Sequence, residues 1–152
     1  MEIRVCDRKE IERGILIRSD YVVISIRDPG KRRAKVKKQA GLRDTLYLAF
    51  NDTEPCELPQ TPPEIQPMTP AQADRVCKFV RRHKSDVGSI VVHCEQGMSR
   101  SPAVAAAICD ALGVNPKRFW QLYTPNHHVY HTVADAFERA AAGRRNFPGG
   151  VA

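Results

Sequence analysis

Apolar residues fall along this chain in two rhythms: short β-branched runs, and stripes repeating every three to four positions. Glu2 to Cys6 predicts a short first strand. Asp7, three residues before Glu10, makes a capping-box-like pair that opens a short helix through about Arg13. Tyr21 to Ile26 reads as a buried strand, ended by an Asp28-Pro29-Gly30 turn. Thr45 to Phe50 is the next strand. Thr69-Pro70-Ala71-Gln72 starts a helix with a capping residue, a proline in the first turn and Gln at the third position. Its apolar stripe is Ala73, Val76, Cys77 and Val80, and it ends near His83, read as a surface residue in a basic last turn. Ser85 to Gly88 turns into the apolar run Ser89 to Val92. Pro102 sits early in a helix to Leu112, with Gly113 as a left-handed stop; Ala103, Ala106 and Ala107 let it pack closely, and Cys109 lies in its core. Asn115-Pro116 opens a second short helix through about Leu122. Thr124-Pro125-Asn126 opens a third, with Val129, Val133, Ala136, Phe137 and Ala140 on one face. Strands separated by helices, then a helical second half, predict an α/β fold: a small, mostly parallel sheet of about four to five strands with helices on both faces. Residues 1–143 read as a single domain and 144–152 as a loose tail.

One stretch breaks both rhythms. Between Asn51 and Pro70 lie six of the chain's eleven prolines, so regular structure is excluded there. A loop this long is disordered or functional, and its place straight after a strand favours function, because ligand sites of open α/β sheets lie beyond the carboxyl ends of the strands.

Composition narrows the class. No apolar run approaches the roughly 18 residues of a membrane span. The start of the chain lacks a signal-peptide pattern. The five cysteines are scattered, odd in number and without a Cys-x-x-Cys pair. That points to a reducing, cytoplasmic setting with mostly buried thiols, and neither to a disulfide framework nor to a zinc site; no metal or cofactor is expected. The net charge is +7, much of it from Lys31, Arg32, Arg33, Lys35, Lys37 and Lys38. That run is a solvated loop or a guide for an anionic partner. No aromatic residues interleave it, which disfavours nucleic acid without excluding it.

The chemistry concentrates where the run Ser89 to Val92 meets Cys94. Six residues later comes Arg100, then Ser101 and Pro102 at a helix start. A turn of inward amides, a helix N-terminus and a guanidinium together make an anion site, and the same surroundings stabilise a thiolate.

The sequence His93-Cys94-Glu95-Gln96-Gly97-Met98-Ser99-Arg100-Ser101 resembles the signature of the cysteine-dependent phosphatases, His-Cys-x-x-Gly-x-x-Arg-Ser/Thr, most closely the dual-specificity branch. The resemblance implies a phosphatase-like fold and phosphomonoester hydrolysis through a phosphocysteine, with a phosphorylated protein or another phosphomonoester as substrate. Cys94 would be the nucleophile. Glu95, Gln96, Gly97, Met98 and Ser99 would cradle the phosphate, and Arg100 would grip two of its oxygens. Ser101 would donate to the leaving sulfur, and His93 would order the loop. The family's general acid is an Asp on a loop upstream, a place Asp52 occupies, with Glu54, then Asp44 or Glu57, as substitutes. Pro125-Asn126 is similar to a pair that opens a late helix in the family, and Asn126 would brace neighbouring loops. Other readings are an RNA 5′-triphosphatase or another non-protein phosphatase on the same scaffold, or a non-catalytic phosphate-binding module. An oxidisable Cys94 with Cys56 as a disulfide partner is a further expectation.

Overall fold

A computed structural model describes residues 1–55, 62 and 64–145, with the side chain of Arg145 left undescribed. The elements are β1 (Glu2–Cys6), α1 (Arg8–Arg13), β2 (Tyr21–Arg27), β3 (Leu42–Ala49), α2 (Pro70–His83), β4 (Ser89–His93), α3 (Arg100–Leu112), α4 (Lys117–Leu122) and α5 (His127–Arg145). Residues 146–152, most of the expected tail, lie outside the described residues; its first two residues, Arg144 and Arg145, belong to α5.

The four strands form one parallel sheet in the order β1-β4-β2-β3. Parallel strands all end at the same edge, so Cys6, Arg27, Ala49 and His93 deliver the segments that follow them to one rim. β2 and β4 are central and buried on both faces, which explains their unbroken apolar runs. Val22, Ile24, Ile26, Ile90 and Val92 face the main core with Val76 and Val80 of α2, Val104 and Ile108 of α3, and Val129 and Val133 of α5. Each such fully buried aliphatic side chain contributes roughly 1.5–3 kcal/mol. Tyr21, Val23 and Val91 face a smaller cluster with Ile11 of α1 and Ala34. Helices therefore cover both faces, four on one and the short α1 on the other, where Ile15, Ile17 and Val36, outside helix and strand, complete the cover.

With both faces apolar, hydrophobic alternation alone does not set the register of β2 against β4. One polar residue does. Ser25 pairs with His93 across the ladder, and its Oγ lies 2.6 Å from His93 Nε2. A slip by one residue would turn Ser25 into the main core and orphan His93.

Two expectations change. β3 begins three residues earlier than Thr45 and ends at Ala49, because an edge strand tolerates the polar Arg43 and Asp44. Phe50 leaves the ladder yet is fully buried, its N–H donating to the Arg27 carbonyl at 3.1 Å. His83 is not a surface residue. Its side chain is half-buried against the Phe79 ring, with Nε2 2.9 Å from Asp44 Oδ2.

The helix ends follow their sequence signals. Both capping boxes form, Asp7 with Glu10 and Thr69 with Gln72. Gly113 closes α3 at φ 73°.

Candidate active site

β4 ends at His93 and α3 begins at Arg100, so Cys94 to Ser99 is a six-residue loop between a buried strand and a helix N-terminus. Gly97 makes the turn possible on two counts. Its φ is 71°, a left-handed value, and a Cβ there would sit 2.9 Å from the Cys6 backbone carbon and oxygen. The Gly97 N–H points back at Cys94 Sγ, 3.2 Å away, and Ser101 Oγ lies 3.2 Å from the same sulfur. Both Cys94 and Ser101 are buried. Gln96 and Met98 project outward at the rim.

The loop is held from beneath. His93, 1% exposed, spans Ser25 Oγ and the Cys94 carbonyl, 3.1 Å from its Nδ1. Burial lowers its pKa below the usual histidine range, which keeps the ring neutral. Arg8 braces the other side: its N–H donates to the Glu95 carbonyl at 3.1 Å and its Nη1 lies 3.7 Å from Glu95 Oε2.

Arg100 is the most constrained cation in the site. Its side chain is only 6% exposed, and Nη1 donates to Asp28 Oδ1 at 2.7 Å and to the Phe50 carbonyl at 2.8 Å. Its Nε is buried and has no acceptor among the described residues. One edge of the guanidinium is thus clamped while the Nε side keeps donor capacity, the arrangement an oxyanion requires. Asp28 itself is pulled upward by partial burial, but Arg100 and Lys31 overcome this and hold its carboxyl below the ordinary range. Lys31 Nζ is 3.4 Å from Asp28 Oδ2.

The loop after β3 brings Asp52 over this pocket. Asn51 and Gln66 close the loop's base, through Asn51 N–H to the Gln66 carbonyl at 2.7 Å and Gln66 N–H to Asn51 Oδ1 at 2.8 Å. Asp52 is exposed, and its Oδ1 accepts from Ser99 Oγ and from Asn126 Nδ2, both at 2.9 Å. Asn126 is a buried junction. Its Nδ2 also donates to the Thr53 carbonyl at 3.1 Å, its N–H donates to the Ser99 carbonyl at 3.1 Å, and its Oδ1 accepts from Val129 N–H at the start of α5. Signature loop, Asp52 loop and α5 therefore meet at one residue, the first through its backbone N–H and the other two through its side-chain amide.

Asp28, Lys31, Asp52, Cys94, Ser99 and Arg100 line one cavity of about 510 Å³. The substitute acids are elsewhere. Glu54 Oε1 is occupied by the His127 N–H at 2.6 Å, and Asp44 is paired with His83. Glu57 and Cys56 lie outside the described residues. Cys6 and Cys109 are core thiols, pushed up by burial to about 12 and about 11. Cys77 is likewise buried.

Three contributors are not apparent from the sequence pattern: Asp28, Ser25 and Arg8. Asp28 reads as a turn residue, although an acid just past the end of a buried strand in a parallel sheet is a signal in itself. Ser25 is hidden inside an apolar run, and Arg8 within a short surface helix.

No family model and no curated protein matches the chain. Solved structures do. A mouse putative dual specificity phosphatase complexed with zinc tungstate is 18% identical over 93% of this chain and 85% of its own, with a TM-score of 0.60. A single-residue variant of human DUSP28 is 17% identical over 93% and 92%, at 0.56. A human tyrosine phosphatase-like serine/threonine/tyrosine-interacting protein is 19% identical over 80% and 78%, at 0.51.

Proposed function

We propose that this chain, which has the fold of the dual-specificity phosphatases, hydrolyses phosphomonoesters through a phosphocysteine, with phosphoproteins as its substrates. One observation carries the reading: Cys94, Arg100 and Asp52 line one cavity, and the Arg100 guanidinium keeps a buried Nε with no acceptor among the described residues.

The steps follow from these groups. The Cys94 thiolate attacks phosphorus, and an S–P bond forms as the P–O bond to the leaving group breaks. Arg100 Nε and loop amides donate to the phosphoryl oxygens, whose charge is spread in the transition state. Asp52 gives its proton to the departing oxygen. It then takes a proton from water, which attacks phosphorus and breaks the S–P bond. Ser101, 3.2 Å from the sulfur, donates to the thiolate as it re-forms. The Ser99 and Asn126 bonds orient one Asp52 oxygen and leave the other to work. Met98 at the rim and Glu95 in the loop suit a protein-borne phosphate better than a highly anionic small molecule.

Hydrolysis of para-nitrophenyl phosphate tests the reading. Wild type is expected to turn over and Cys94→Ser to be inactive. A non-catalytic phosphate-binding module of the same fold would leave the two equally inactive, and that result defeats the proposal.

A further inference from the structure

Residues 31–38 form neither helix nor strand, yet their backbone is firmly held. Ala34 is buried and Val36 half-buried in the smaller core cluster. Arg8 Nη2 donates to the carbonyls of Arg32 and Arg33 at 3.1 and 3.2 Å. The Lys35 N–H donates to Glu12 Oε2 at 2.9 Å and the Lys37 N–H to the Ile11 carbonyl at 3.3 Å. Alternation does the rest: Ala34 and Val36 point in, while Arg33, Lys35 and Lys37 point out and are exposed, as are Arg32 and Lys38. None of these five cations forms a salt bridge among the described residues. The track begins at the catalytic mouth, since Lys31 lines the cavity with Cys94 and Arg100.

A row of cations on a pre-ordered backbone, without carboxylate partners among the described residues, is built for an external anion; little ordering cost remains on binding. The alternation of exposed and inward positions over residues 33–37 gives the outward cations a two-residue period, the period of side chains on one face of an extended peptide. Single-stranded nucleic acid would want stacking surfaces, and the Tyr47 ring beside the track carries the Arg33 guanidinium on its face, 4.4 Å from the centroid. We propose that residues 31–38 are an exosite for an acidic segment of the phosphoprotein substrate, whose phosphorylated residue enters the cavity past Lys31. Its role in turnover rests on the phosphatase reading; its binding does not.

Two measurements test it. In the first, kcat/KM is compared for a phosphopeptide with a Glu-rich flank, the same peptide with Gln for Glu, and para-nitrophenyl phosphate. Wild type is expected to prefer the Glu peptide by about tenfold at low salt, through KM, and to lose the preference as salt rises. Lys35→Glu/Lys37→Glu/Lys38→Glu is expected to abolish the preference with para-nitrophenyl phosphate turnover unchanged, which also reports that the variant folds; the triple Ala variant serves if it does not. In the second, fluorescence anisotropy reads binding of an unphosphorylated Glu-rich peptide to Cys94→Ser with and without the triple change, so a failure of catalysis leaves the exosite testable. Equal wild-type kcat/KM for the Glu and Gln peptides, or equal peptide binding with and without the triple change, overturns the proposal. So does a 5′-phosphorylated RNA that binds more tightly than the Glu peptide and depends more on these lysines.

Discussion

Asp28→Asn removes one charge from the guanidinium clamp and little volume. Arg100 Nη1 then keeps the Phe50 carbonyl at 2.8 Å but loses its carboxylate partner at 2.7 Å. The Arg100 side chain is 6% exposed and that of Asp28 is 29%, so the pair stands between two limits. Exposed pairs contribute at most about 1 kcal/mol, and breaking a fully buried one costs about 3–5 kcal/mol. A loss of about 2 kcal/mol follows, which lowers Tm by about 4–8 °C for a chain of this size. The kinetic effect is larger, because a guanidinium displaced by about 1 Å costs on the order of 10²-fold in rate. That loss falls on kcat, since the interaction matters most in the transition state, and Asp28→Glu restores part of it. The pH dependence has a fixed sign. The Asp28 carboxyl is held below its ordinary value, so its stabilisation is fully present above the unfolded value of about 3.9 and vanishes as pH falls through the lower folded value. Calorimetry at a series of pH values is expected to show a constant Tm gap between wild type and Asp28→Asn above about pH 5, closing below about pH 4. An unaltered kcat together with a Tm gap that ignores pH would refute the clamp.

Three further outcomes are expected. Gly97→Ala puts a Cβ 2.9 Å from the Cys6 backbone at φ 71°; strain of about 1–3 kcal/mol and a displaced loop lower both Tm and kcat/KM, and an unchanged enzyme would show that the loop has another low-energy path. Asp52→Ala is expected to slow esters of poor leaving groups by about 10²–10⁴-fold and to spare those of good leaving groups, while an equal loss on both would assign the acid elsewhere. His93 is kept neutral by burial, so its contribution is present above about pH 6.5 and is lost as pH falls below that; Tm of His93→Gln should depend less on pH than wild type between about pH 7 and 5, and parallel curves would count against a buried neutral ring.

The amino-acid order alone determined whatever depends on neighbours a few residues apart. The capping boxes at Asp7 and Thr69, the stripe of α2, the stop at Gly113 and the Cys94–Ser101 turn are all of this kind, because periodicity and cap chemistry act within one or two turns of chain. It also pointed to one loop, that of Asp52, as the place for a second functional group. The family resemblance ranked Asp52 first among the carboxylates, but what each one touches needed tertiary structure. Asp52 meets Ser99 across 47 residues and Asn126 across 74, whereas Glu54 is taken by α5 and Asp44 by His83. The clamp on Arg100 spans 72 residues and the Ser25–His93 bond 68, and neither leaves a periodic trace. Those pairings follow from the strand order β1-β4-β2-β3, which sets the end of β2 beside the end of β4. Within that frame an acid that reads as a turn residue becomes the partner of a buried guanidinium, since a charge removed from water must find its counter-charge wherever the sheet delivers one.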